Sequence, residues 1–197
     1  MEVLPWIFSS GWASGLNSYA VVLLLGLFGR FGGADGIPPA LQRTDVLVAA
    51  AVLTAIDLVA DKIPYVDSLW DSVHTVIRPG IAAAVGALLA GQAGTLNEAA
   101  GAGIAALTAL ASHSVKAGLR AAVNTSPEPA SNLAVSSAED LAVAGVVTLG
   151  IQHPWASAVV AGALLLIGLI TVALLIRRIR RFRRRRRDRR ERTAGPA

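Results

Sequence analysis

The chain has 197 residues, 54% of them apolar, and a formal net charge of +5. Several apolar runs approach the roughly 20 residues needed to cross a bilayer, which excludes an ordinary soluble enzyme and indicates an integral membrane protein. There is no cysteine, which excludes disulfides, thiol chemistry and cysteine-ligated metal.

The net charge conceals two opposite regions. From Arg177 to Arg192 there are twelve arginines against Asp188 and Glu191, a net of +10. Residues 1–176 carry six basic and eleven acidic groups, a net of −5. The sequence therefore divides into a transmembrane helical domain, 1–176, and an arginine-rich tail, 177–197, that is expected to be cytoplasmic and without fixed structure. An arginine run directly after a span reads as a topological signal resting on anionic lipid headgroups, and no nucleic-acid partner is expected. Glu2 and the lack of a basic leader argue against a cleaved signal peptide.

Residues 1–10 read as a short interfacial segment, with Trp6 as a headgroup anchor. A first span is predicted from Gly11 to Phe28. Its Gly11 and Gly15, at i and i+4, predict close helix packing, and an unwound stretch near Asn17 is the alternative. Residues 30–45, with their Gly, Asp and Pro pair, read as a loop. A second span covers Val46–Ala60 and ends on Asp57 and Asp61, one turn apart.

The stretch Asp57–Pro79 is the main functional lead, because it carries charge between two strongly apolar segments. After Pro64 a new helix can start. On it Asp67, Asp71, His74 and Arg78 fall at i, i+4, i+7 and i+11 and share one face. With the apolar Gly80–Leu89 it makes a third span, about Val66–Ala90, bent near Pro79. After a turn at Gly91–Thr95 a fourth span begins near Leu96. Its later part places His113, Lys116, Arg120 and Asn124 on one basic face. Thr125–Asn132, with Glu128, reads as a proline-broken connection. Glu139 and Asp140 open a fifth span that ends near His153–Pro154, and Trp155–Ile176 is the sixth.

The fold class is thus all-α, a polytopic bundle of about six transmembrane helices. A weak repeat at an offset of 90 matches Gly11 with Gly101, Arg30 with Arg120, Pro39 with Pro129 and Pro64 with Pro154. It points to two inverted three-helix halves, an arrangement that transporters place around a central site.

Each charge at the bilayer centre costs about 2.5–3.5 kcal/mol on insertion scales. The acidic stripe and the basic stripe must therefore face each other, a water-filled cavity or the aqueous interface. The candidate ion or substrate path comprises Asp57, Asp61, Lys62, Asp67, Asp71, His74 and Arg78 with His113, Lys116, Arg120, Asn124, Glu128, Asn132, Glu139 and Asp140. The bland alternative is a set of salt bridges and caps at the cytoplasmic interface. Asp67, Asp71, His74 and His113 are chemically able to ligate a divalent ion. No motif specifies one, and neither metal nor cofactor is expected. No nucleophile elbow, zinc-protease motif, phosphate loop or dinucleotide fingerprint is present.

The segments GWASGLNSY at 11–19, VADKIPYVDSLWDSVHTVIRP at 59–79, HSVKAGLRAAVNTSPEPASN at 113–132 and the pair Glu139–Asp140 resemble, in order and spacing, a family of bacterial membrane proteins known as domain of unknown function 4126. Asp57 stands where the family pattern has Glu, and Asn17 where Arg is common. The arginine tail lies outside the resemblance. It implies a multi-pass membrane protein and supplies no activity. The expectation is a small transporter or channel-like protein of the bacterial inner membrane, with its C-terminus cytoplasmic and room for a homo-oligomer. The other readings are a membrane scaffold and an intramembrane enzyme acting on lipid.

Overall fold

The computed structural model describes residues 3–63, 65–123 and 129–193, and the side chains of these except at 123, 129, 131 and 183–193. Six helices follow one another: α1 (Val3–Phe31), α2 (Thr44–Ala60), α3 (Val66–Ala93), α4 (Glu98–Val123), α5 (Pro129–Gln152) and α6 (Pro154–Thr193). Among the described residues there is no strand. Pro129 and Pro154 each open a helix, where a missing N–H removes no intrahelical bond. Gly94 closes α3 at φ 64°, a left-handed cap that a side chain would strain. Tyr65, at φ 71°, is the described non-glycine residue with positive φ and turns the chain into α3.

Among the described residues, four helical segments are long and apolar enough to cross a membrane: Val3–Phe31, Val66–Ala93, Asn132–Gln152 and Pro154–Phe182. The sequence predicted six such spans. The 17 residues of α2 reach only about 25 Å at 1.5 Å each, short of a hydrocarbon core of about 30 Å. In α4 the basic face lowers the hydropathy.

Helix α1 touches all five other helices, and 67% of its most apolar window is buried, against 11% for that of α6. It is the central post of the bundle, whereas α6 presents Leu166, Ile167, Ile170 and Leu174 outward. The same inversion of ordinary globular patterning marks α2, whose Val48, Val52, Ile56 and Val59 are exposed while Thr54 and Asp57 are buried. Apolar residues outside and polar ones inside suit a bundle whose solvent is lipid.

Three expectations need correction. Trp6 is not an interfacial anchor: α1 already starts at Val3, and Trp6 is 2% exposed, packed on α5 where Gly150 leaves room for it. Asn132, Glu139 and Asp140 do not lie in a connection or at a helix start, because α5 begins at Pro129 and holds them within it. The backbone beyond Ile176 is helical through Thr193, since arginine is a good helix former and α6 is already nucleated.

The α3–α4 pair is drawn together by small residues. A Cβ added at Gly86 would lie 2.4 Å from the Gly101 carbonyl oxygen, and one at Gly101 2.5 Å from that of Gly86. On α1, Gly11 packs on Ala105 in the same way, and Gly15 on Ala109 and Ser112. Close packing there coexists with a break: Asn17 has φ −152° and ψ 95°, outside the helical region. Both sequence-level readings of this segment therefore hold together.

Candidate functional site

At the break, α1 stops satisfying its own backbone. The Asn17 carboxamide oxygen accepts the Ala20 N–H at 2.9 Å, as a capping side chain does at a new helix start. Two carbonyl oxygens just before it are taken by cations from other helices. Gly15 O accepts from Arg78 Nη1 at 3.4 Å, and Leu16 O accepts from Lys116 Nζ at 3.0 Å.

Those cations belong to a network in which the two predicted stripes face each other. Its core is buried: Asp57, Asp61, Asp67, Asp71, Arg78, Lys116 and Arg120 are each at most 3% exposed. Arg78 Nη2 bonds Asp57 Oδ1 at 3.0 Å, and its Nη1 bonds Asp71 Oδ1 at 3.1 Å. Lys116 bonds Asp61 closely, with Glu139 at 3.6 Å and Asp71 at 3.9 Å. Arg120 reaches Glu139 at 2.8 Å and Asp67 at 3.1 Å. It also donates to the Asp61 carbonyl at 2.7 Å, which the Asn132 amide shares at 3.2 Å. Arg120 thereby satisfies the carboxyl end of α2 and fixes the α2–α3 corner.

The imidazoles extend the network. His74 Nδ1 donates to the Trp70 carbonyl at 2.8 Å, and Nε2 lies 3.0 Å from the Tyr19 hydroxyl. His113 Nδ1 accepts from Arg78 at 3.3 Å, and its Nε2 donates to the Asp71 carbonyl at 3.1 Å. Because a guanidinium can only donate, His113 in this arrangement is the neutral tautomer with its proton on Nε2.

Of the other candidates, Lys62 and Asp140 form a separate half-buried pair at 3.1 Å. Asn124 and Glu128, like Pro64, lie outside the described residues. Among the described residues no group of three or more His, Asp or Glu is arranged to hold a metal ion.

Sequence reasoning overlooked two aromatic members. The Trp70 indole donates to Asp57 Oδ1 at 2.6 Å. Tyr19 bonds His74. Tyr19 sits two residues after Asn17 in the GWASGLNSY segment, and that adjacency was the available signal.

Two cavities touch these residues. One, of about 230 Å³, lies between α3 and α4 and is lined by Ser68, Asp71, Ser72, Thr75, Ala117 and Arg120, among others. The other, of about 180 Å³, is lined at its polar part by Asn17, Thr54 and Asp140. The arrangement is one set of buried charges contacted by five helices, with a cavity at Asp71 and a mainly apolar one at the α1 break. Residues 4–174 match the family described as Domain of unknown function (DUF4126). No curated protein and no solved structure matches the chain.

Proposed function

The chain belongs to the family of the domain of unknown function 4126, and from that premise we propose that it is a small transporter or channel-like protein of the bacterial inner membrane. Its polar path runs through the Asp57–Arg120 network. The observation that carries this reading is a charged cluster buried inside a bundle that contains membrane-spanning helices, at a helix break and beside two cavities.

A buried ion pair is a poor means of holding helices together. Desolvation cancels most of its Coulomb gain, and apolar replacements are often about 1–4 kcal/mol more stable. Eight ionisable side chains in one interior cluster therefore favour a path over a fastening. Freed carbonyls at a broken helix are the groups that membrane transporters offer to ions.

The offset-90 repeat supports the same reading. Exchanging α1–α3 with α4–α6 relates the α3–α4 packing to α6–α1, α1–α2 to α4–α5, and α1–α3 to α4–α6, and all six pairs are in contact, whereas the α1–α5 packing has no comparable α2–α4 counterpart. The exposed Arg177, Arg178, Arg180 and Arg181 rest on anionic lipid and keep the C-terminus cytoplasmic.

The test is ion flux in liposomes holding the full chain, driven by an imposed potential and read by an entrapped pH dye and by sodium and potassium release. Flux above that of protein-free liposomes is expected. Asp71→Asn and Arg120→Gln, each confirmed folded by size exclusion, should abolish it; unchanged flux in both variants contradicts the path. One observation favours a scaffold instead: Arg78, Lys116 and Arg120 are each already held by carboxylates.

A further inference from the structure

Among the described residues the buried network does not balance. Five carboxylates (Asp57, Asp61, Asp67, Asp71 and Glu139) face three permanent cations, Arg78, Lys116 and Arg120. All five ionised would leave a charge of −2 in the interior. His113 cannot supply the missing charge, because Arg78 donates into its Nδ1.

The imbalance has a location. Asp57 has both oxygens engaged, Oδ1 by Trp70 and Arg78 and Oδ2 by Arg78 at 3.4 Å. Asp67 likewise uses Oδ1 for the Ser68 N–H and Oδ2 for Arg120. The other three carboxylates surround the single ammonium of Lys116. Among the described residues, each of the three has one buried oxygen without a hydrogen-bond partner: Asp61 Oδ1, Asp71 Oδ2 and Glu139 Oε1. An ionised oxygen left bare in a low-dielectric interior costs several kcal/mol, and a carboxylate in that position neutralises instead.

From this placement we infer that the Lys116 cage of Asp61, Asp71 and Glu139 is a proton-binding site. A proton from water adds to a carboxylate there, and the carboxyl group formed becomes a donor to its neighbours. The cavity at Asp71 is the entry for that proton. The groups facing the cage are known on each element. From α1 comes the Leu16 carbonyl, from α2 Asp57, and from α3 Asp67 and Arg78. From α4 come His113 and Arg120, and from α5 Asn132. From α3 also comes His74, whose Nε2 lies 3.0 Å from the Tyr19 hydroxyl on α1. The inference deepens the path reading by naming its ion; it rests on that reading for its purpose, not for its test.

Infrared difference spectroscopy of the full chain in lipid, between neutral and alkaline pH and without sodium, reads the proton directly. The expected result is the carbonyl stretch of a protonated carboxyl group at neutral pH, lost in alkali. It should be diminished in at least one of Asp61→Asn, Asp71→Asn and Glu139→Gln. Those substitutions mimic the protonated state, so thermal unfolding should show at least one variant as stable as the parent chain. Absence of the band, a band undiminished in all three variants, its removal by sodium, or a lowered Tm in all three overturns the inference. Because no flux is measured, a band without flux would leave the proton site standing and remove the path, and flux without a band would do the reverse.

Discussion

The two halves of the α3–α4 pair solve the same packing problem in opposite ways. Beyond Pro79 on α3 and before Ser112 on α4, the helices meet through Gly86, Ala90, Gly101 and Ala105, with backbone nearly touching backbone. On the other side of those positions they meet through Asp71, Arg78, His113 and Lys116, whose long side chains reach across. Outward, both halves present the same kind of surface: Val73 and Val76 on the charged half, Leu107 and Leu110 on the other. Lipid thus meets one apolar exterior, and the difference is entirely internal. The small-residue half gains stability from contact and needs no other explanation. The charged half costs desolvation and, among the described residues, holds more carboxylates than cations.

The sharpest way to break this contrast is Arg78→Met. It strands Asp57 and Asp71 in the interior, and loss of one partner of a buried pair costs about 3–5 kcal/mol. Reversible unfolding in detergent should show that loss. A neutral result would mean that Asp57 and Asp71 do not depend on Arg78 for their burial.

Gly86→Ala attacks the other half, where the new methyl would sit 2.4 Å from the Gly101 carbonyl. Overpacking of this kind costs about 1–3 kcal/mol. It should lower Tm less than Arg78→Met does, and it should leave the infrared carboxyl band in place.

The smallest effect is expected at Lys62→Met. Its partner Asp140 is half-buried with it, and side-chain exposures of 34% and 24% leave enough water to hold the change within about 1 kcal/mol. A loss as large as that at Arg78 would place Lys62 inside the network after all.

How much of this was legible depended on the range of the signal. Helix periodicity is local, so the shared faces of Asp67–Arg78 and His113–Arg120 could be read directly, and both prove buried and opposed. Pro154 likewise marked the start of α6 correctly. Pro129 misled, because two prolines close together suggested a loop where one of them opens α5, and Glu139 was thereby taken from the middle of a helix and placed at its start. Which cation serves which carboxylate depends on how five helices meet, and no spacing encodes it. Trp6 was misplaced because an indole suits both an interface and an interior that offers it space. The break at Asn17 lies in a segment whose glycines argue equally for tight packing, and the chain uses both properties within seven residues of each other.

The central claim is that the charged half opens to water, and the absence of native cysteine allows a direct test. Thr75 and Ala117 line the cavity beside Asp71, one on α3 and one on α4. Single cysteines at each would be challenged with a membrane-impermeant thiol reagent from either side of oriented vesicles. Labelling of both positions from both sides is the predicted result, since a path must be reached from each. Labelling from neither side would contradict it, and would make the network a sealed set of ion pairs that fastens the helices of a scaffold.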